Sequence, residues 1–201
     1  MNALWERPDF RRAAGDAWRP GGVALTSRAL DWCAASGWLP PGGLVLDLGS
    51  GAGATLRLLA ERGYRAVGLD KHADAAVLTG DNQTDSCALV CADLAQPPLA
   101  AACVDCALCE CVLSLLADPL AALKATYAAL RPGGVLVVSD LMLRQGYAIA
   151  PADSGLGGDG ITLPQHEVAG LCHRPGRFRS WGCWFVVPRG RTGPSRLAWP
   201  H

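Results

Sequence analysis

The sequence predicts an α/β domain: a mainly parallel sheet with helices on both faces, a three-layer αβα sandwich whose C-terminal part is poorly defined. Three observations carry this. Short apolar runs alternate with stretches of helical spacing between Leu25 and Asp140, and strands that alternate with helices pair in parallel. The first run, Leu44-Val45-Leu46-Asp47-Leu48, opens into Gly49-Ser50-Gly51-Ala52-Gly53 and then a helix. Acids stand at or near the ends of the first four runs, as Asp47, Asp70, Asp93 and Glu110. Open parallel sheets bind ligands outside the carboxyl ends of their strands.

Length and composition set the frame. A chain of 201 residues, half of them apolar, can form one domain with a sizeable core. We divide it into an N-terminal cap (1–36), a ligand-binding core (37–142) and an irregular, diverged tail (143–201). The formal net charge is zero, so bulk charge does not suggest a nucleic-acid surface. The charge is uneven: no acid follows Glu167, whereas Arg174, Arg177, Arg179, Arg189, Arg191 and Arg196 do. Met1–Arg12 has no apolar h-region. The most apolar stretch, Leu99–Ala117, holds Asp105 and Glu110, which suits a buried core and not a membrane span. Nine cysteines, an odd number without a leader, point to reduced thiols and a cytoplasmic setting.

The elements follow in order. Arg19-Pro20-Gly21-Gly22 is a turn. Thr26 can cap a helix to about Ser36, with Gly37 as its stop and Leu25, Ala29, Trp32 and Cys33 on one face. Leu44–Leu48 is the first strand, and Ala54–Arg62 is a helix closed by Gly63. Arg65–Asp70 is the second strand and Cys87–Cys91 the third. Asp74–Gly80 is a short helix, followed by a polar loop. Cys103–Cys109 reads as a buried fourth strand, and Ala117–Leu130 as a helix ended by Arg131-Pro132-Gly133-Gly134. Val135–Asp140 is the fifth strand. In the tail only Trp181–Val187 reads as a strand.

The glycine turn is the chemical centre. Glycines let the backbone turn sharply and approach a ligand closely, and the helix behind them offers free N–H groups to an anion. Dinucleotide folds want G-x-G-x-x-G, but this chain has G-x-G-x-G with Asp47 two residues ahead. Asp70 can accept from both hydroxyls of a ribose, in a dinucleotide or in another nucleoside. Asp93 can accept from an adenine amino group while Leu94 packs on the ring. A dinucleotide fold has no standing need for that acid.

On these residues the chain resembles the class I S-adenosylmethionine-dependent methyltransferases, with their Rossmann-like sheet. Val104–Asp140, with an aspartate opening the fourth strand, Val112-Leu113 after it and Leu130-Arg131-Pro132-Gly133-Gly134 before the fifth, is similar to the subgroup of ubiquinone and menaquinone C-methyltransferases and arsenite methyltransferases. The resemblance implies S-adenosyl-L-methionine as cofactor and a small-molecule acceptor, with no nucleic acid and no metal. It implies a cofactor site of Asp47, Gly49, Ser50, Gly51, Gly53, Asp70, Lys71, Asp93, Leu94 and Cys109. The first helix would cover the cofactor. The family sheet needs two strands after the fifth, and the tail offers one. That shortfall motivates a second reading, a non-catalytic cofactor-binding protein with a decayed substrate lobe.

Glu110 and Cys111 are the catalytic candidates. Glu110 is the best-placed base at the exit of the fourth strand, ahead of His166. Cys103, Cys106, Cys109 and Cys111 have spacing that could suggest a metal site. Strand alternation separates them, with Cys103 and Cys109 on one face and Cys106 on the other. Cys111 matches the metalloid-binding cysteine of the arsenite enzymes, with Glu110 in place of an asparagine. A metalloid acceptor would need Cys111 as a thiolate, helped by Cys109 or Cys172.

Overall fold

The computed structural model describes residue 19 and residues 21–73, 86–140 and 183–189, the strand within the last of these as backbone. The helices are α1 (Gly22–Ala35), α2 (Ala54–Glu61) and α3 (Pro119–Ala129). The strands are β1 (Leu44–Leu48), β2 (Arg65–Asp70), β3 (Cys87–Cys91), β4 (Val104–Glu110), β5 (Leu130–Asp140) and β6 (Cys183–Pro188). They form one sheet in the order β3-β2-β1-β4-β5-β6. The first five are parallel, and β6 runs antiparallel along β5.

Strand alternation explains the layers. Val45, Ala66, Cys106, Leu108, Val135 and Val137 point to one face and pack with Leu30 and Cys33 of α1 and Leu56 and Leu59 of α2. Leu46, Leu69, Ala107, Cys109, Leu136 and Val138 point to the other, under Leu123 and Ala129 of α3. Near-continuous apolar strands are what a sheet covered on both faces requires. The predicted Rossmann-like three-layer sandwich is therefore the observed fold. Cys103 and Cys109 fall with the second cluster and Cys106 with the first, as the alternation requires.

Several boundaries differ from expectation. Thr26 does not cap α1. The helix starts a turn earlier, with Gly21 as N-cap at φ 81, and Thr26 is buried inside it. A side chain at Gly21 would collide with Leu25, so glycine sets the start and frees Thr26 for another partner. Gly37 ends the helix as expected, its N–H donating to Ala34 O at 3.0 Å. α3 begins at Pro119 because the Asp118 side chain accepts from Ala121 N at 2.9 Å. β5 includes Arg131-Pro132-Gly133-Gly134, which were expected only to end the preceding helix ahead of a strand from Val135. Gly133 N donates to Arg189 O and Arg189 N to Gly134 O, at 2.9 and 2.8 Å, so the segment is paired to the edge chain. The pairing of β4 and β5 shifts between Val104 and Cys106 to accommodate it.

Asp105 holds the end of the sheet away from the strand exits. It accepts from Leu44 N at 2.8 Å and from Arg131 at 2.7 and 2.8 Å. The Asp74–Gly80 helix, His166 and Cys172 lie outside the described residues. No helix among the described residues is long and apolar enough to cross a membrane.

Candidate functional site

The carboxyl ends of β1, β2, β4 and β5 converge on the glycine loop. Gly49, Gly51 and Gly53 have φ of 71, 50 and 71, a region that side chains strain to enter. Gly49 N and Ser50 N donate to Leu69 O at 2.7 and 3.2 Å, so the loop is stitched across the end of β2. Asp70 completes the stitch, accepting from Gly51 N at 2.9 Å and from His72 N at 2.8 Å. A Cβ on Gly49 would overlap the buried Val112. Gly53 is the N-cap of α2, so the loop delivers the chain straight into the helix.

Two oxygens in this cradle are buried and without a protein partner: Asp47 Oδ2 and Ser50 Oγ. Asp47 is 4% exposed. Burial, followed by the nearby Glu110 charge, pushes its carboxyl up to about 8, against the pull of Arg19. Asp70 adds to the upward push. Buried polar atoms of this kind are costly unless something satisfies them. A ligand with cationic or hydroxyl groups fits that demand.

Glu110 is buried and heavily partnered. Thr26 Oγ1 lies 2.9 and 3.1 Å from its two oxygens, and Arg19 approaches one at 2.9 Å. Burial raises its pKa, opposed by Arg19 and then by Thr26. Arg19 also donates to Thr55 Oγ1 at 2.9 Å, in the first turn of α2. At β5, Asp140 accepts from Ser114 N and Oγ at 3.0 and 2.8 Å.

The remaining predicted residues sit around this centre. Asp93 is exposed beyond β3 and accepts from Ala95 N at 2.9 Å. Leu94 is buried and lines a small apolar cavity with Leu48, Cys109 and Val112. Lys71 is exposed at the exit of β2. Cys109 is 1% exposed, and burial drives its thiol well above the ordinary range.

Cys111 does not behave as a poised thiolate. Burial, then Asp140 and Glu110, push its pKa to about 12. β4 ends at Glu110 and Cys111 turns to φ 56, so Cys109 and Cys111 do not share a strand face. Sequence reasoning treated Arg19 as part of a turn, Thr26 as a cap and Asp140 as the end of a strand. The fold gathers them into the site. Only the strand-end position of Asp140 gave a usable signal.

This fold class is the one built by class I S-adenosylmethionine-dependent methyltransferases, whose cofactor is S-adenosyl-L-methionine. Residues 46–138, from within β1 to within β5, match the family model described as a methyltransferase domain. Among solved structures it is similar to Haemonchus contortus phosphoethanolamine N-methyltransferase 2 in complex with S-adenosyl-L-methionine. That match has 15% identity and a TM-score of 0.64, covering 80% of this chain and 38% of the other. It is also similar to the [4+2]-cyclase SpnF, with 23% identity and a TM-score of 0.52, covering 59% of this chain and 46% of that one. The chain thus spans less than half the length of either.

Proposed function

We propose that this chain is an S-adenosyl-L-methionine-dependent methyltransferase that transfers a methyl group to a small-molecule acceptor by direct displacement. One observation carries the reading. Asp47 Oδ2 and Ser50 Oγ are buried and unpartnered at a glycine loop that lies inside the matched residues 46–138. Gly49–Gly53 and the first turn of α2 would receive the cofactor's amino-acid end. Asp70 would take the ribose hydroxyls, with Lys71 beside it. Asp93 and Leu94 would take the adenine, over the wall that includes Cys109.

The bound cofactor supplies a methyl group on a sulfonium, and the departing thioether is neutral. No acid is then needed to expel it, and the protein's task is alignment and exclusion of water. Glu110 is the proposed proton acceptor where the acceptor molecule carries a proton. Its raised pKa brings it nearer the pH at which a base works best. The metalloid reading is not favoured, since a thiol near 12 is not the thiolate it needs at Cys111.

A [4+2]-cyclase shares this fold, so turnover has to be measured and not inferred from architecture. Calorimetry with S-adenosyl-L-methionine tests binding. A mass-spectrometric screen with methyl-labelled cofactor, run against thiols, quinol precursors, arsenite and selenite, tests transfer. Absence of cofactor binding rejects the proposal.

A further inference from the structure

A cation already stands in the cleft. The Arg19 guanidinium donates to Thr26 Oγ1 at 2.5 Å and to Thr55 Oγ1 at 2.9 Å, and lies 2.9 Å from Glu110 Oε2. The Arg19 and Glu110 side chains are 12% and 3% exposed. One guanidinium therefore joins α1, the first turn of α2 and the exit of β4. A helix N-terminus disfavours a cation, so the Glu110 carboxylate against Arg19, with Asp47 near, offsets that at α2. Asp47, another buried carboxylate, has an oxygen without a partner.

We infer that Arg19 is an internal competitor for the cofactor's cation: it neutralises Glu110 in the free protein and thereby sets how strongly the cleft prefers the sulfonium cofactor over its neutral thioether product. The inference rests on the cofactor reading above. A buried carboxylate stripped of its counter-charge is strongly disfavoured. Without Arg19, Glu110 takes its counter-charge from whatever cation enters. S-adenosyl-L-methionine brings a sulfonium that S-adenosylhomocysteine lacks, and the two ligands differ otherwise only by the methyl group. The methyl group's own contribution is common to all variants, so the change in the affinity ratio between variants reports the charge.

The test is calorimetry of both ligands with wild type, Arg19→Gln, Arg19→Lys and Glu110→Gln. Glutamine keeps a hydrogen-bond donor without the charge, and lysine keeps the charge. Arg19→Gln should shift the affinity ratio toward S-adenosyl-L-methionine about tenfold, the scale of one charge-assisted interaction. Arg19→Lys should stay near the wild-type ratio, and Glu110→Gln should fall below it. Because each ratio is taken within one variant, a general loss of stability cancels. An unchanged ratio in Arg19→Gln overturns the inference. So does an equal loss for both ligands, which would make Arg19 an anchor for a group they share. Wild type binding neither ligand sinks the cofactor reading itself, and this inference falls with it.

Discussion

Asp47→Asn should stabilise the free protein and weaken the site, and the two effects should separate with pH. Asp47 titrates near 3.8 in an unfolded chain and is raised to about 8 in the fold, chiefly by burial and secondly by Glu110. A carboxyl raised in the fold binds its proton more tightly when folded. Stability is therefore highest below the unfolded value and falls as pH rises toward about 8. At about 1.4 kcal/mol per pKa unit, the ionisation penalty is about 4 kcal/mol at pH 7 and about 6 kcal/mol at pH 9. These are ceilings, because water entering the site raises its dielectric. Asparagine has no charge to bury. Near pH 4 the variant should melt with wild type, and by pH 8 it should melt well above it. Wild type should bind S-adenosyl-L-methionine more tightly as pH rises to about 8, since a ligand cation favours the carboxylate and expels its proton. Asp47→Asn should bind weakly and without that slope. The assays are melting curves between pH 4 and pH 9, and calorimetry in buffers of different ionisation enthalpy. A melting difference that does not grow with pH, or binding without proton release, refutes the reasoning.

Three further outcomes follow from the same geometry. Gly51→Val should abolish cofactor binding by calorimetry, because φ is 50 there and a β-branched side chain is strained at that angle. Asp70→Ala should lower cofactor affinity, since hydrogen bonds to charged groups are worth roughly 1.5–3 kcal/mol each and Gly51 N loses its acceptor. Asp105→Ala should lower the melting point while leaving cofactor affinity unchanged. It strands Leu44 N and frees Arg131 at the far end of the sheet, at a cost of about 1–3 kcal/mol for the unsatisfied group.

The strands were legible because burial on both faces writes itself as continuous apolar runs, and the glycine loop because positive φ demands glycine. The acids were legible because topology alone carries a strand's last residue to the ligand edge. Boundaries were less so. Pro132-Gly133-Gly134 has turn chemistry, yet pairing with the chain at Arg189 keeps it within β5, with Gly133 at φ 83. No local pattern announces a partner that distant in sequence. Thr26 likewise looked like a cap because threonine often is one, while Gly21 already served that end of α1.

Arg19 was illegible for a deeper reason. Its meaning lies entirely in Glu110 and Thr55, far along the chain, and a basic residue in a Pro-Gly turn carries no sign of burial. Once the pair is seen, the acids at the strand exits change character. They are not equivalent ligand contacts. Asp70 accepts from Gly51 N of the loop and from His72 N beyond β2, which keeps the cradle in shape and leaves lone pairs for a ligand. Glu110 is neutralised from within. Asp47 alone combines deep burial with an oxygen left unpartnered, against the neighbouring carboxylates. The stability that buried Asp47 costs above about pH 4 would be offset by a ligand that supplies the missing charge. The Asp47→Asn experiment therefore tests the burial through the stability of the free protein and the proposed binding role through proton release on adding S-adenosyl-L-methionine, before any acceptor is known.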